Sequence, residues 1–566
     1  MLKLFIYRIN MTDKTFIKEE VSQRYKHLGG RGFTSLLLSD ELDPKSSPLG
    51  DENKLVIAPG LLTGTIAPSS GRTSIGAKSP LTGTIKESNA GGTAGQYLAG
   101  HNIKALIIEH LPKDKEDSSI IIVEKNNLRL EVRNNLRGLG NYDTVANLRS
   151  EFGDQCSIIS IGPAGEVGSA MATIAFSDPE GRPSRHAGRG GLGAVMGSKG
   201  VKAIVISKSN DSVPEPRDKT RFLEIVKKFS LELYQTKKGL RDYGTALLVN
   251  AINAVGGLPT RNFSMGYNDQ AEEFSGERLN QLCNERKGQT GHACSRGCAV
   301  RCSNVFNNGQ GDYVTASLEY ETIALLGSNC GINNLDEIAQ LDRLCDDLGL
   351  DTMETGVSLG VAMEGGALQF GHFEQMKEAI NDIVTGVKIG RIIGQGAVAT
   401  GRILKVSRVP AVKGQGLSAY DPRALKGTGV TYATSPMGAD HTSGNCLPGR
   451  GGLKPYEDNG QVDLSKNLQI ITMICDFLGI CIFVGPVQEN MPVFSALASS
   501  FTGEEINEEK LYDLARSILE KEVEFNVLAG IDNEQNDLPR FFREEPLPNN
   551  GYFFDIPAEE LKNFKY

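Results

Sequence analysis

The chain has 566 residues, of which 39% are hydrophobic and 23% charged, with a formal net charge of -9. That length exceeds one ordinary core and gives room for roughly three or four domains around a large ligand. The acidic balance excludes a general nucleic-acid binder, which needs surplus Lys and Arg, and ten cysteines in so long a chain exclude a disulfide-built scaffold and suit a reducing cytoplasm.

Residues 1–8 are apolar only briefly and lack a small-residue cleavage site, so they read as a strand and not as a signal peptide. Short β-branched runs at 54–58, 104–108, 118–123, 156–161 and 201–207, separated by glycine turns, predict a β-rich domain over 1–208. Within it Leu62-Thr63-Gly64-Thr65 recurs as Leu81-Thr82-Gly83-Thr84, too short for a repeat architecture but able to mark two similar turns. Three glycine-rich loops stand out: Ser69-Ser70-Gly71-Arg72, Ser88-Asn89-Ala90-Gly91-Gly92 and Gly188-Arg189-Gly190-Gly191-Leu192-Gly193. The last satisfies G-x-G-x-x-G, but polar residues 182–186 precede it and a strand at 201–207 follows, so the dinucleotide context is missing. Its continuation, Gly197-Ser198-Lys199, is not the Gly-Lys-Ser/Thr ending of a P-loop. Bare backbone amides helped by Arg185 and Arg189 suit anionic oxygens of a large ligand lying across the sheet. The plainer alternative leaves glycines to turns and arginines to solvent.

The prolines of 212–216 predict a linker, after which Phe222, Ile225, Val226, Phe229 and Leu233 fall at helical spacing. Similar periodicity over 335–348 and 373–393 makes 209–415 a helical domain. Within it Cys294, Cys298 and Cys302 crowd into nine residues. With the remote Cys481 they could hold an iron-sulfur cluster, with zinc or inert buried thiols as the alternatives. A glycine-proline shift at 414–422 opens a third, mainly helical domain over 416–566, with a polar tail from 553. In it the apolar run 468–487 has the hydropathy of a span, but Gln469, Asp476, Gly479 and Pro486 favour a buried helix and turn.

Two hexads match D-x-x-G-[LI]-[DC]: Asp346-Asp347-Leu348-Gly349-Leu350-Asp351 and Asp476-Phe477-Leu478-Gly479-Ile480-Cys481. Each is expected to end a helix at its glycine and to present a carboxylate to N–H donors of a heterocycle. For proton transfer the candidates are Glu321 and His441, the latter one of only seven histidines and flanked by glycine.

Taken together, these stretches resemble the tungsten-containing aldehyde:ferredoxin oxidoreductase family. Gly29-Gly30-Arg31-Gly32, Ser79 to Gly83, Ile161 to Glu166, the Gly188 loop, Glu319 to Thr322, Cys345 to Thr352, Ala419 to Arg423, the Asp476 hexad and Phe525 to Gly530 carry the likeness in order along the chain. The resemblance implies an α+β fold in which a β-rich domain cradles pterins and two mainly helical domains follow. It implies tungsten (or molybdenum) held by the dithiolenes of two pterins, one 4Fe-4S cluster, and magnesium as an optional bridge between pterin phosphates. By position, Arg72, Asn89, Gly91, Arg185, His186, Gly188 and Arg189 would face pterin from the β-rich domain. Asp346, Leu350, Asp351, His441, Asp476, Ile480 and Ile482 would do so from the helical domains, and Cys294, Cys298, Cys302 and Cys481 would hold the cluster.

The implied reaction is oxidation of a small aldehyde with water to a carboxylate, electrons passing to ferredoxin or a similar acceptor, with Glu321 as base and His441 as hydrogen-bond donor. The alternatives are a molybdenum or tungsten reductase of carboxylates or another substrate, and a non-catalytic cluster relay. Arg296 and Arg301 would form a local docking patch for the acidic acceptor. No nucleic acid or membrane is implied, and a homodimer is compatible. The family's C-x-x-C-x-x-x-C spacing is lengthened by one residue between Cys294 and Cys298, and Met437 and Ser443 stand where basic residues occur in some members. Gln340-Leu341-Asp342-Arg343 replaces the Glu-x-x-His of a dimer-bridging metal, so that metal is not expected.

Overall fold

The computed structural model describes residues 3–124, 127–209, 214–387 and 389–566; the first two residues of the expected N-terminal strand and residues 212 and 213 of the expected linker lie outside the described residues. Twelve strands build two six-stranded sheets. The first has β1 (Phe5–Asn10), β2 (Thr15–Glu20), β3 (Leu55–Pro59), β4 (Thr73–Lys78), β5 (Ile85–Ala90) and β6 (Ile103–Glu109), in the order β2-β1-β6-β3-β4-β5. The second has β7 (Ser119–Glu124), β8 (Asn127–Val132), β9 (Cys156–Ser160), β10 (Ile174–Phe176), β11 (Arg185–Ala187) and β12 (Val201–Ser207), in the order β8-β7-β12-β9-β10-β11 read from its other edge. β1 runs parallel to β6 and β7 parallel to β12, and all other neighbours are antiparallel. Six added to each strand number of the first sheet gives the second: the region is built from two halves of one topology. The Leu-Thr-Gly-Thr echo falls twice inside the first half, in two turns, and does not mark this duplication.

Alternation along the strands explains the layering. Ile57, Ile75 and Leu106 of the first sheet meet Ile159, Ile174 and Ile204 of the second in one shared core. The opposite face of the first sheet, with Val56, Ala58 and Ile107, is covered by the helix Gly30–Glu41 through Phe33 and Leu37. The opposite face of the second, with Ile120, Ile122 and Ile158, is covered by Asn141–Phe152 through Val145 and Leu148.

Helices dominate after residue 218, beginning with Lys219–Thr236, which buries Phe222, Phe229 and Leu233 as their spacing predicts. The periodicity of 373–393 is divided: Phe373–Thr385 ends at the left-handed Gly386, and Gly390–Ile393 is a separate turn of helix. Among the described residues no helix is long and apolar enough to cross a membrane; the apolar run after 468 belongs to the helix Gln461–Leu478, which stops at Gly479.

Candidate active site

The two hexads end their helices as expected. Leu335–Leu348 closes at Gly349 (φ 74°) and Gln461–Leu478 at Gly479 (φ 77°), left-handed positions that favour glycine. Each hexad docks on one half of the duplicated sheets through equivalent contacts. The backbone N–H of Arg72, just before β4, donates to Gly479 O at 3.1 Å, and that of Thr173, just before β10, to Gly349 O at 2.9 Å. A Cβ on Gly60 would stand 2.1 Å from Gly479 Cα, and one on Gly162 2.2 Å from Leu348 O, so only glycine admits either hexad. Asn89 Nδ2 donates to Asp476 Oδ1 at 3.2 Å, and His186 Nε2 lies 3.1 Å from Asp346 Oδ1.

Between the two docked hexads lies a cavity of about 310 Å³. Of the candidate residues, Arg72, Gly91, Arg185, His186, Gly188, Glu321, Asp346, Leu350, Asp351, His441, Ile482 and all four cysteines line it. Asn89, Asp476, Arg189 and Ile480 stand outside the lining: the first two pair with each other, Arg189 lies behind the wall, and Ile480 is buried in the core with Phe477. Gly188 opens onto the cavity with nothing within 4 Å of where a Cβ would be. Gly71 and Gly91 also have a task that their loops did not suggest. A Cβ on either would press on Ser295 Oγ (2.6 Å) or Cys294 Sγ (3.1 Å), so these glycines admit the cysteine loop. That loop is held by Gly92 N–H donating to Cys294 O and Ser69 N–H to Gly297 O, both at 2.9 Å.

The longer Cys294–Cys298 spacing is absorbed by a turn in which Cys298 N–H donates to Ser295 O at 3.3 Å and Gly297 is left-handed (φ 78°). No three of the four cysteine sulfurs lie within 4.8 Å of one another. Zinc bound to thiolates at about 2.3 Å would bring the sulfurs to about 3.8 Å apart, so this arrangement is too wide for a single zinc ion. A hydrogen bond from Cys298, with Arg72 and Arg185 behind it, holds the Cys294 thiol well below its ordinary value against the opposing effect of burial. Arg72 Nη2 lies 3.2 Å from Cys481 Sγ.

The cavity walls are buried charge networks. Arg31, fully buried, donates from Nε and Nη2 to Glu522 at 2.9 and 2.6 Å and faces Asp476 at 3.5 Å. Arg189 meets Asp351 at 3.2 Å and Glu354 at 3.5 Å, and Lys86 meets Asp440 at 2.6 Å. Arg189 was a candidate from the sequence, and Arg31 sits inside a glycine-rich stretch, the one signal that could have drawn attention to it; Glu354, Glu522, Lys86 and Asp440 carried none. The Gly188 loop also corrects the sequence reading: it follows a short strand, β11, and opens the helix Leu192–Ser198. β11 escaped notice because it is a three-residue polar edge strand facing the cavity, and its antiparallel pairing with β10 still rules out a βαβ unit.

Glu321 and His441 come together from distant segments. Glu321 Oε2 accepts from Ala419 N–H at 2.8 Å, which leaves Oε1 for His441 Nε2 at 3.2 Å, a contact without hydrogen-bond direction. His441 Nδ1 lies 2.9 Å from Ser418 Oγ, which also accepts from Arg189 Nη1 at 3.3 Å. Because Arg189 can only donate, the Ser418 proton is free to point at Nδ1; in that arrangement the imidazole would carry its own proton on Nε2, toward Glu321.

The family description "Aldehyde ferredoxin oxidoreductase, N-terminal domain" matches residues 6–208, and "Aldehyde ferredoxin oxidoreductase, domains 2 & 3" matches residues 224–564. The chain belongs to the aldehyde ferredoxin oxidoreductase family. Within that family it is 34% identical to the tungsten-containing aldehyde ferredoxin oxidoreductase of Pyrococcus abyssi, over 97% of this chain and 93% of the relative. It is 28% identical to the WOR-like subunit of the aliphatic sulfonate oxidoreductase of Pyrococcus furiosus, over 98% and 92%. The BamBC active-site complex of benzoyl coenzyme A reductase superposes with a TM-score of 0.81 at 17% identity, covering 99% of this chain and 92% of that one, which shows a shared fold. As a member of the family this protein is an oxidoreductase enzyme.

Proposed function

We propose that the protein oxidises a small aldehyde with water to the carboxylate at a tungsten bis-pterin centre, and passes two electrons singly through a 4Fe-4S cluster to ferredoxin or a similar acceptor in the cytoplasm. The observation that carries this reading is the meeting of the Glu321–His441 pair with four convergent cysteines in one cavity. The residues fit the groups. The sulfurs are spread too wide for one ion and suit a cuboidal cluster, the Arg185 Nε is buried without a partner, and Gly188 leaves the cavity wall open beside it. Asp346, His186, Asp351 and Gly188 would hold one pterin, and Arg72, Gly91 and Ile482 the other, backed by the Asn89–Asp476 pair. When bound, the metal-pterin centre supplies the two-electron chemistry.

The chain's own groups manage position and protons. Glu321, fixed at Oε2 by Ala419, presents Oε1 to accept a proton from the attacking water. His441 offers its Nε2 proton to the substrate oxygen while Ser418 keeps the ring oriented. A relay that only carried electrons would have no use for an acid-base pair in the cavity beside the cysteines.

Glu321→Gln should lower aldehyde turnover by at least about a hundredfold while tungsten, pterin and iron contents stay at wild-type levels. Metal analysis with pterin extraction on anaerobically purified protein, followed by a viologen-linked screen, checks it. Iron without pterin metal would leave only a relay, and unchanged turnover in the variant would remove Glu321 from the reaction. The likeness to the sulfonate oxidoreductase subunit makes alkanesulfonates the second substrate class for that screen.

A further inference from the structure

A second cavity, of about 520 Å³, opens between the first sheet, residues 501–502 and the segment 214–217, and shares no lining residue with the first. Lys104, at the start of β6, forms part of its wall and is only 7% exposed. Its one hydrogen bond runs to Lys26 O at 3.5 Å, and among the described residues no carboxylate pairs with it. Burial pushes its amine down to about 8, so at neutral pH most of it still carries a charge. Lys26 and Arg217 line the same space and have no ion pair among the described residues, whereas Lys3 is tied to Glu20 at 2.5 Å and His27 to Glu504 at 2.8 Å. Glu215 is the remaining acid on the lining and lies at the exposed rim. Leu61, Ile103, Phe501 and Pro214 give the wall an apolar part, and Gln23, Thr63, Asn102 and Thr502 complete the lining with polar groups.

A buried ammonium without a partner is costly, and the cost is relieved when the amine gives up its proton or when an anion enters. A phosphate group would call for a nest of N–H donors or a cluster of arginines. Lys104 as the one buried ammonium, with Leu61, Ile103 and Phe501 as apolar surface in the same cavity, matches a singly charged headgroup on a hydrocarbon body. We propose that this cavity binds a small organic carboxylate, its headgroup on Lys104 and its hydrocarbon part against Leu61, Ile103 and Phe501.

The test uses intact holoenzyme, with hexanoate and inorganic phosphate as separate probes. Amine-reactive labelling of Lys104, read by mass spectrometry, should fall at least about tenfold with hexanoate and stay unchanged with phosphate. In titration calorimetry Lys104→Met should lose one hexanoate site that the wild type shows, with aldehyde turnover unaltered. Should that variant fail to fold, the labelling of the wild-type protein decides alone. Equal labelling with and without hexanoate, or protection by phosphate as strong as by hexanoate, overturns the proposal. Neither outcome bears on the redox cavity, whose reading stands or falls on the metal analysis.

Discussion

The two halves of the duplicated sheets receive the two hexads through the same backbone contacts, yet the side chains at matching positions differ. The last hexad position is Asp351 on one half and Cys481 on the other, and the residue whose N–H anchors the hexad glycine is Thr173 on one and Arg72 on the other. Cys481 joins the three loop cysteines, with Arg72 against its sulfur; Asp351 is turned to Arg189. The support beneath differs as well. On the cysteine half the carbonyl of Asp476 packs against Gly30, and the next residue, Arg31, is locked to Glu522. On the other half the matching helix start, Asn141, donates from its side chain to Asp346 O at 2.7 Å. A duplicated backbone thus supplies two similar seats, and a few side chains give one of them the four cysteines and the other a buried carboxylate.

The sharpest break of this comparison gives the cysteine half the residue of its counterpart. Cys481→Asp should remove the cluster signal in electron paramagnetic resonance, lower bound iron and cut viologen-linked turnover by more than about a hundredfold; a variant that keeps full iron content would sink the four-cysteine assignment.

The next largest effect is on stability. Glu522→Gln strands the fully buried Arg31 with only the more distant Asp476, and should cost about 3–5 kcal/mol in urea unfolding of the holoprotein. A loss below about 1 kcal/mol would show that the charged lock is no firmer than the amide contact of Asn141.

Gly60→Ala and Gly162→Ala test the equivalence itself. Each new methyl would meet hexad backbone at close to 2 Å, so the two substitutions should destabilise alike, by about 2–3 kcal/mol apiece. A large effect from one and none from the other would mean that the seats are not equivalent.

Much of the site's inventory was legible residue by residue. The hexads stood out because a helix that ends at a left-handed glycine leaves a local signature, and the cysteine loop because three thiols in nine residues are rare in so cysteine-poor a chain. The duplication was not legible, since its strands share topology and not sequence, and the one visible echo lies within a single half. The charge networks were not legible either: Arg31 and Glu522 are 491 residues apart, and although Arg31 sits among glycines, nothing local marks Glu522 as its partner.

By itself, then, the sequence determined the local events: where helices end, where the chain must lack a side chain, and which soft and titratable groups are present. The tertiary structure decided the pairings, because a hydrogen bond or ion pair between Asn89 and Asp476, His186 and Asp346, or Glu321 and His441 depends on the meeting of segments that only the packed sheets and helices bring together. It also made Gly71 and Gly91 the bed of the cysteine loop, since close approach is a property of the partner as much as of the glycine.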